Sequence, residues 1–316
     1  MWIRFIKFLL SSVVVTFIVR NSQKIIIPGF QKIPLHDVTI FFWKGITKGS
    51  LPMRASAVAF SFFLAIFPSI IFLFTLIPYI PIGNFQERLL NSFQHFMPQN
   101  AYEATKDTIL DIVTNQRGGL LSIGFITALY FSTNGFNALI TAFNTTFHDI
   151  ETRKPIHQRL VSILLVMITT VLILTSISLL IGSEYLLHKI FTHDSYEIAY
   201  HLIQFGRWII LFALFFCLIS FTYYLGPSQK GRWKFISAGS TLATLLTVIT
   251  SSGFAFYVDH FGKYNKLYGS IGTLIVILLW LYFNSLVLLV GFELNASIRQ
   301  AKRNKESLER ETQTPE

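Results

Sequence analysis

Residues 271–292 read IGTLIVILLWLYFNSLVLLVGF, from Ile271 to Phe292 without an Asp, Glu, Lys or Arg. As an α-helix this run rises about 33 Å, enough to cross a hydrocarbon core of roughly 30 Å. Five more stretches, 56–80, 120–147, 160–181, 208–225 and 235–258, hold no charged residue either, although the 316-residue chain has 26 Lys and Arg and 16 Asp and Glu. A water-facing helix does not run for about 20 residues without polar relief. A soluble globular protein and a disordered chain are both excluded. None of the stretches alternates polar with apolar residues, as barrel strands of about ten residues do. The fold class is therefore all-α: a polytopic membrane protein, a bundle of six transmembrane helices with amphipathic interfacial helices.

The charges outside these stretches are sorted by side. Residues 1–55, 148–159, 226–234 and 293–316 carry 19 of the 26 basic residues, and the alternate loops 81–119, 182–207 and 259–270 carry 7. Acidic residues divide 8 and 8. With an even number of spans, the positive-inside rule places both termini in the cytoplasm. The net charge of +10 is then a topology signal. It implies membrane lipids as partners and no nucleic acid, and a homo-oligomer or an envelope protein partner is equally compatible with it.

Three regions follow: a cytoplasmic or interfacial segment 1–54, a six-span domain 55–298, and a charged tail 299–316 that reads as frayed and solvated. The run Phe8 to Val19, behind Arg4 and Lys7, is too short to span comfortably and reads as an interfacial or packed segment. Asp37 reads as the N-cap of a short helix that turns Val38, Phe41, Phe42 and Trp43 to the membrane. Leu89, Leu90, Phe93, Phe96 and Met97, and beyond Pro98 Ile109, Leu110, Ile112 and Val113, predict two amphipathic helices in the long external loop. Loop 182–207 predicts another. The single cysteine, Cys217, forbids a disulfide within the chain.

Several spans carry polar groups that need partners. Asn134, Asn137, Thr141 and Asn144 recur at steps of 3, 4 and 3, so they share one helical face, which must meet protein or water because an unpaired amide is costly in hydrocarbon. That face is a candidate substrate pathway, with Asn284 of span six joining it, or else interhelical glue. Ser237, Ser240, Thr244, Thr247 and Ser251 form a softer stripe that reads as close packing. Pro68 removes a backbone donor in mid-span and predicts a kink. Glu293, at the end of span six, is disfavoured by the helix dipole and calls for a cation. Arg54, at the same boundary, is the expected partner, and the two form a candidate ion pair or gate with Asn295 beside them. No charge lies inside any uncharged stretch, which disfavours a proton or sodium relay.

Enzyme motifs are missing: no His-Glu-x-x-His, GxSxG, Walker sequence or Cys-x-x-Cys occurs. His193, Glu197 and His201, at i, i+4 and i+8, have the spacing of a weak metal candidate and equally that of a polar surface face. No cofactor is implied.

The run Arg54-Ala-Ser-Ala-Val-Ala-Phe-Ser with Phe67-Pro68, the segment from Ala138 to Phe143-Asn144, and the blocks Tyr268-Gly-Ser-Ile-Gly272, Leu279-Trp-Leu-Tyr282 and Gly291-Phe-Glu-Leu-Asn-Ala296 resemble the YihY/virulence factor BrkB family of bacterial inner-membrane proteins. The likeness runs from about residue 35 to 300 and departs from the family's first motif at Phe60 and Ser61. It implies six spans with cytoplasmic termini, and members treated as transporters. It points to Arg54, Pro68, Asn144, Glu293 and Asn295. The family's old ribonuclease label lacks the clustered carboxylates or histidines that nuclease chemistry needs. The expected function is translocation of a small solute or lipid without enzymatic chemistry; the alternatives are an envelope scaffold and, disfavoured, a ribonuclease.

Overall fold

The structure is a computed structural model that describes residues 22–23, 25–79, 110–111, 115–146, 153–190, 197–228, 234–261 and 270–313. Seven α-helices run through them: α1 (Leu35–Lys48), α2 (Leu51–Leu76, with a 3-10 turn at Ile77–Tyr79), α3 (Gly118–Asn144), α4 (Pro155–Ile190), α5 (Glu197–Leu225), α6 (Ala238–Phe261) and α7 (Ser270–Gln313). No strand occurs among the described residues. The last six are long and apolar enough to cross a membrane, one for each uncharged stretch. α4 starts ahead of its stretch because Pro155 occupies the first helical position, where a missing N–H costs nothing.

Each membrane helix packs on the next in chain order, and α7 returns to α2, so the six form a closed cycle. Packing is uneven along it. The core joins the first turns of α2 (Leu51, Ala55, Val58), the last turns of α3 (Phe136 to Phe143) and α5 (Ile219, Tyr223), Ala243 of α6 and Leu289, Phe292 and Ala296 of α7. All of these lie toward one end, the end that carries the α1–α2, α3–α4 and α5–α6 connections. Toward the other end, the described residues that are buried are small ones such as Ala65, Thr75, Gly124 and Ala128.

The amphipathic helix α1 is placed differently from the expectation. Its N-cap position is Pro34, and Asp37 lies inside the first turn. Val38 is buried against Leu294, Ile298 and Ala301 rather than turned to lipid. Trp43 remains exposed. The partner surface exists because α7 does not stop at the membrane boundary. The tail expected to fray from residue 299 is helical to Gln313; the Lys302–Glu306 and Lys305–Glu309 pairs at i, i+4 support it, and Ala301 packs toward α1. The segment 8–19 and nearly all of the expected helices in loop 81–119 lie outside the described residues. In loop 182–207 the two chain segments continue as the ends of α4 and α5, to Ile190 and from Glu197.

Candidate functional site

The packed end is organised around a buried carboxylate. Glu293 has no exposed surface. The Thr146 hydroxyl, just past the end of α3, lies 2.8 and 2.9 Å from its two oxygens. Arg54 Nη2 of α2 donates to Oε2 at 3.4 Å, and Nη1 donates to the Ala142 carbonyl of α3 at 2.7 Å. Arg54 Nε has no partner among the described residues. α1 closes the site from above: a Cβ on Gly45 would lie 2.1 Å from Glu293 Oε1, so only a glycine lets that helix reach the carboxylate. Three membrane helices and α1 thus meet on one ion pair, and the structure brings Arg54 and Glu293 together as their boundary positions suggest. Thr146 and Gly45 escaped the sequence reading. Gly45 lies seven residues after Val38, two turns on along the same helical face, and a glycine there was the available signal.

The surrounding block Gly291-Phe-Glu-Leu-Asn-Ala296 is buried at every position, and burial continues through Ile298. A helix hidden on all sides needs each residue to fit a different neighbour. Gly291 meets Ala243 and the Tyr223 hydroxyl. Phe292 stacks on Phe143 at 4.3 Å between centroids. Leu294 faces the α1 cluster. Asn295 accepts from the Gly239 N–H at 2.8 Å and donates to Ser237 Oγ at 2.9 Å, capping the start of α6 from another helix. Asn295→Ala is expected to cost about 1–2 kcal/mol, the worth of an N-cap, read as a lower thermal midpoint in detergent.

The asparagine face of α3 meets α4 and the α5–α6 connection. Gln158 Nε2 donates to Asn137 Oδ1 at 2.8 Å and to Thr141 Oγ1 at 2.9 Å. Asn134 Oδ1 accepts from Arg159, whose guanidinium stands 5.0 Å over the Tyr130 ring. Asn144 brackets Ser228, donating to its hydroxyl and accepting from its N–H. Arg153 then donates to the carbonyls of Leu225, Gly226 and Pro227, a cation on the negative end of α5. Burial pulls its pKa below the ordinary arginine value. Every member of the stripe is paired between elements, which is the adhesive role. The early start of α4 also alters one expectation: Arg159 puts a fixed cation within the third apolar helix.

The remaining candidates lie apart from this site. Asn284 accepts from Ser251 of α6 and donates to the Trp280 carbonyl. Pro68 stands within α2, which continues through it. His193 lies outside the described residues, and no group of three His, Cys, Asp or Glu that could hold a metal occurs among the described ones.

Comparison with known proteins supplies a family. The family model described as Virulence factor BrkB matches residues 42–315. A ribonuclease-like protein, YfkH of Bacillus subtilis, is 30% identical over 252 residues, covering 79% of this chain and 90% of the relative. A UPF0761 membrane protein of Haemophilus influenzae is 23% identical over 271 residues, 84% of this chain and 96% of its own. One from Tolumonas auensis is 24% identical over 277 residues, 84% and 86% of the two chains. No solved structure matches.

Proposed function

Because the chain belongs to the BrkB family of membrane proteins, we propose that it is a bacterial inner-membrane translocator of a small solute or lipid, with both termini cytoplasmic and without enzymatic chemistry. One observation carries this reading. Among the described residues, the Arg54–Glu293–Thr146 network and nearly the whole core lie at a single end of the helix cycle, and packing thins toward the other. A unit that passes something between the two sides of a membrane needs such an asymmetry, one end latched and the other able to admit. The buried ion pair is the latch: separating it requires α1, α2, α3 and α7 to part together.

The ribonuclease-like name of YfkH is not carried over. Glu293 is the carboxylate buried at the site, and its oxygens are engaged by Thr146 and Arg54. RNA cleavage by the purified chain that disappears in Glu293→Gln would overturn the non-enzymatic reading.

The test of translocation is a lipid- and metabolite-resolved comparison of cells with and without the protein, scored by compartment and by membrane leaflet. At least one solute or lipid is expected to change its distribution. An unchanged distribution of all species removes the translocator reading. The orientation is tested separately in a Cys217→Ala background: Ser307→Cys, on the α7 extension, is expected to resist a membrane-impermeant maleimide until the inner membrane is opened. Labelling in intact spheroplasts would reverse the topology.

A further inference from the structure

We propose that the seam between α3 and α4 binds the headgroup of an anionic phospholipid, with Arg159 as its phosphate contact. The seam opens onto a lipid-facing strip of α3. Ile123, Ile126 and Tyr130 are exposed, and Asn134, Asn137 and Thr141 continue the same face at helical steps. In a membrane protein, large apolar side chains left exposed in mid-helix meet lipid. The asparagine stripe is therefore the continuation of a lipid-facing strip, and Thr141 within it is exposed.

Across the seam stands a cation without a counter-charge. Arg159 donates to the neutral amide of Asn134 and stacks over Tyr130, and no carboxylate pairs with it among the described residues. Arg54, by contrast, has Glu293. A guanidinium has five N–H donors, and Asn134 is the one acceptor described for this one. Arg159 sits in the second turn of α4, near enough to the boundary to extend outward to the aqueous interface as lipid-exposed arginines do. It turns inward instead, to Asn134, which stands about 15 Å along the helix from the end of α3 at 1.5 Å per residue. A charge held at that depth is costly unless an anion joins it.

The approach selects the anion. On α4 the residues at helical steps from Arg159, Ile156 three before it and Ile163 four after it, are exposed and apolar, a surface suited to acyl chains and not to a hydrated ion. Gln158, Asn137 and Thr141 form a polar ladder from the boundary to Arg159, offering hydrogen bonds to a headgroup that moves inward while its chains stay in the bilayer. A phosphate diester with two chains and net negative charge satisfies both parts. The site does not require the translocator reading, since a lipid can be held without being moved.

The full-length chain, purified into nanodiscs of equal phosphatidylglycerol and phosphatidylcholine and released for native mass spectrometry at high salt, is expected to retain phosphatidylglycerol about tenfold over phosphatidylcholine, the scale of one charge-assisted hydrogen bond. Arg159→Gln should bring the ratio to about one. Asn134→Asp, which neutralises the cation in place and keeps the seam filled, should do the same, so a misfolded Arg159 variant leaves the test intact. Arg303→Gln, on the exposed α7 extension, should keep the wild-type ratio. No preference in the wild type, a preference surviving in both seam variants, or an equal loss in Arg303→Gln would each overturn the site. Leaflet exchange of fluorescent phosphatidylglycerol, measured in parallel, separates the two readings: retention without exchange counts against translocation alone, and exchange without retention counts against this site alone.

Discussion

Glu293→Ala should destabilise the folded chain by about 3–5 kcal/mol, the cost of breaking a buried ion pair by removing one partner. Glu293 is fully buried and Arg54 only 9% exposed, so the guanidinium left behind stays largely shut off from water. The Arg54 link to the Ala142 carbonyl would remain, but the guanidinium charge would have lost the carboxylate that faces it. The attraction lost is only part of the damage; most of it comes from the uncompensated charge. This gives the prediction a second arm. Arg54→Met combined with Glu293→Leu removes both charges and should recover much of the lost stability, because a buried pair exchanged for apolar residues of similar volume is often neutral or better. The measurement is the unfolding midpoint in a mild detergent for wild type, both single variants and the double variant. A double variant as unstable as the sum of the singles would show that the two side chains do not act as a pair. If the ion pair is also the latch, the recovered double variant should be stable yet altered in transport, a separation that a purely structural pair would not produce.

The sequence makes the spans legible because charge is costly in hydrocarbon and its scarcity needs no tertiary information. The helix ends were less legible, because a helix can begin before its uncharged stretch, as α4 does at Pro155, and can outlast it, as α7 does to Gln313. The tail mixes charges without an obvious apolar face, yet its i, i+4 pairs and the contact of Ala301 with α1 suffice to hold it helical. The expected Arg54–Glu293 pair forms for another reason than the helix dipole: α7 runs on to Gln313, so Glu293 stands in mid-helix, and it is the cost of a buried, uncompensated carboxylate that calls for the cation. Thr146 could not be anticipated, because nothing in the spacing of a loop residue says which carboxylate it reaches. The asparagine stripe fixed a face and left its partner open. Its neighbours Gln158 and Arg159 lie on another helix, and the register between two helices is set by side-chain packing that one strand of sequence does not contain.

Gly239→Ala should destabilise the protein although, judged by the helix alone, it should help. Alanine is a better helix former than glycine by about 0.8–1.0 kcal/mol, and Gly239 lies in the first turn of α6. A Cβ there would stand 2.1 Å from the Gly291 carbonyl oxygen and 2.6 Å from Asn295 Oδ1. The first neighbour is backbone and cannot swing aside, so α6 and α7 must separate. Their separation pulls at once on the Asn295 cap of α6 and on the contact between Gly291 and Ala243. The bond from the Tyr223 hydroxyl to the Leu288 carbonyl, 2.5 Å long, lies against the same crossing. Overpacking of this kind costs about 1–3 kcal/mol, and the lost cap adds about 1 kcal/mol, together more than the propensity gain. Gly253 supplies the control within the same helix, since a Cβ there meets nothing within 4 Å. Gly253→Ala should therefore leave the midpoint unchanged or raise it, while Gly239→Ala lowers it. Two alanines of equal intrinsic preference and opposite effect would locate the close approach of α6 and α7 at Gly239 and Gly291. Two equal effects would mean that the helices do not cross there in backbone contact.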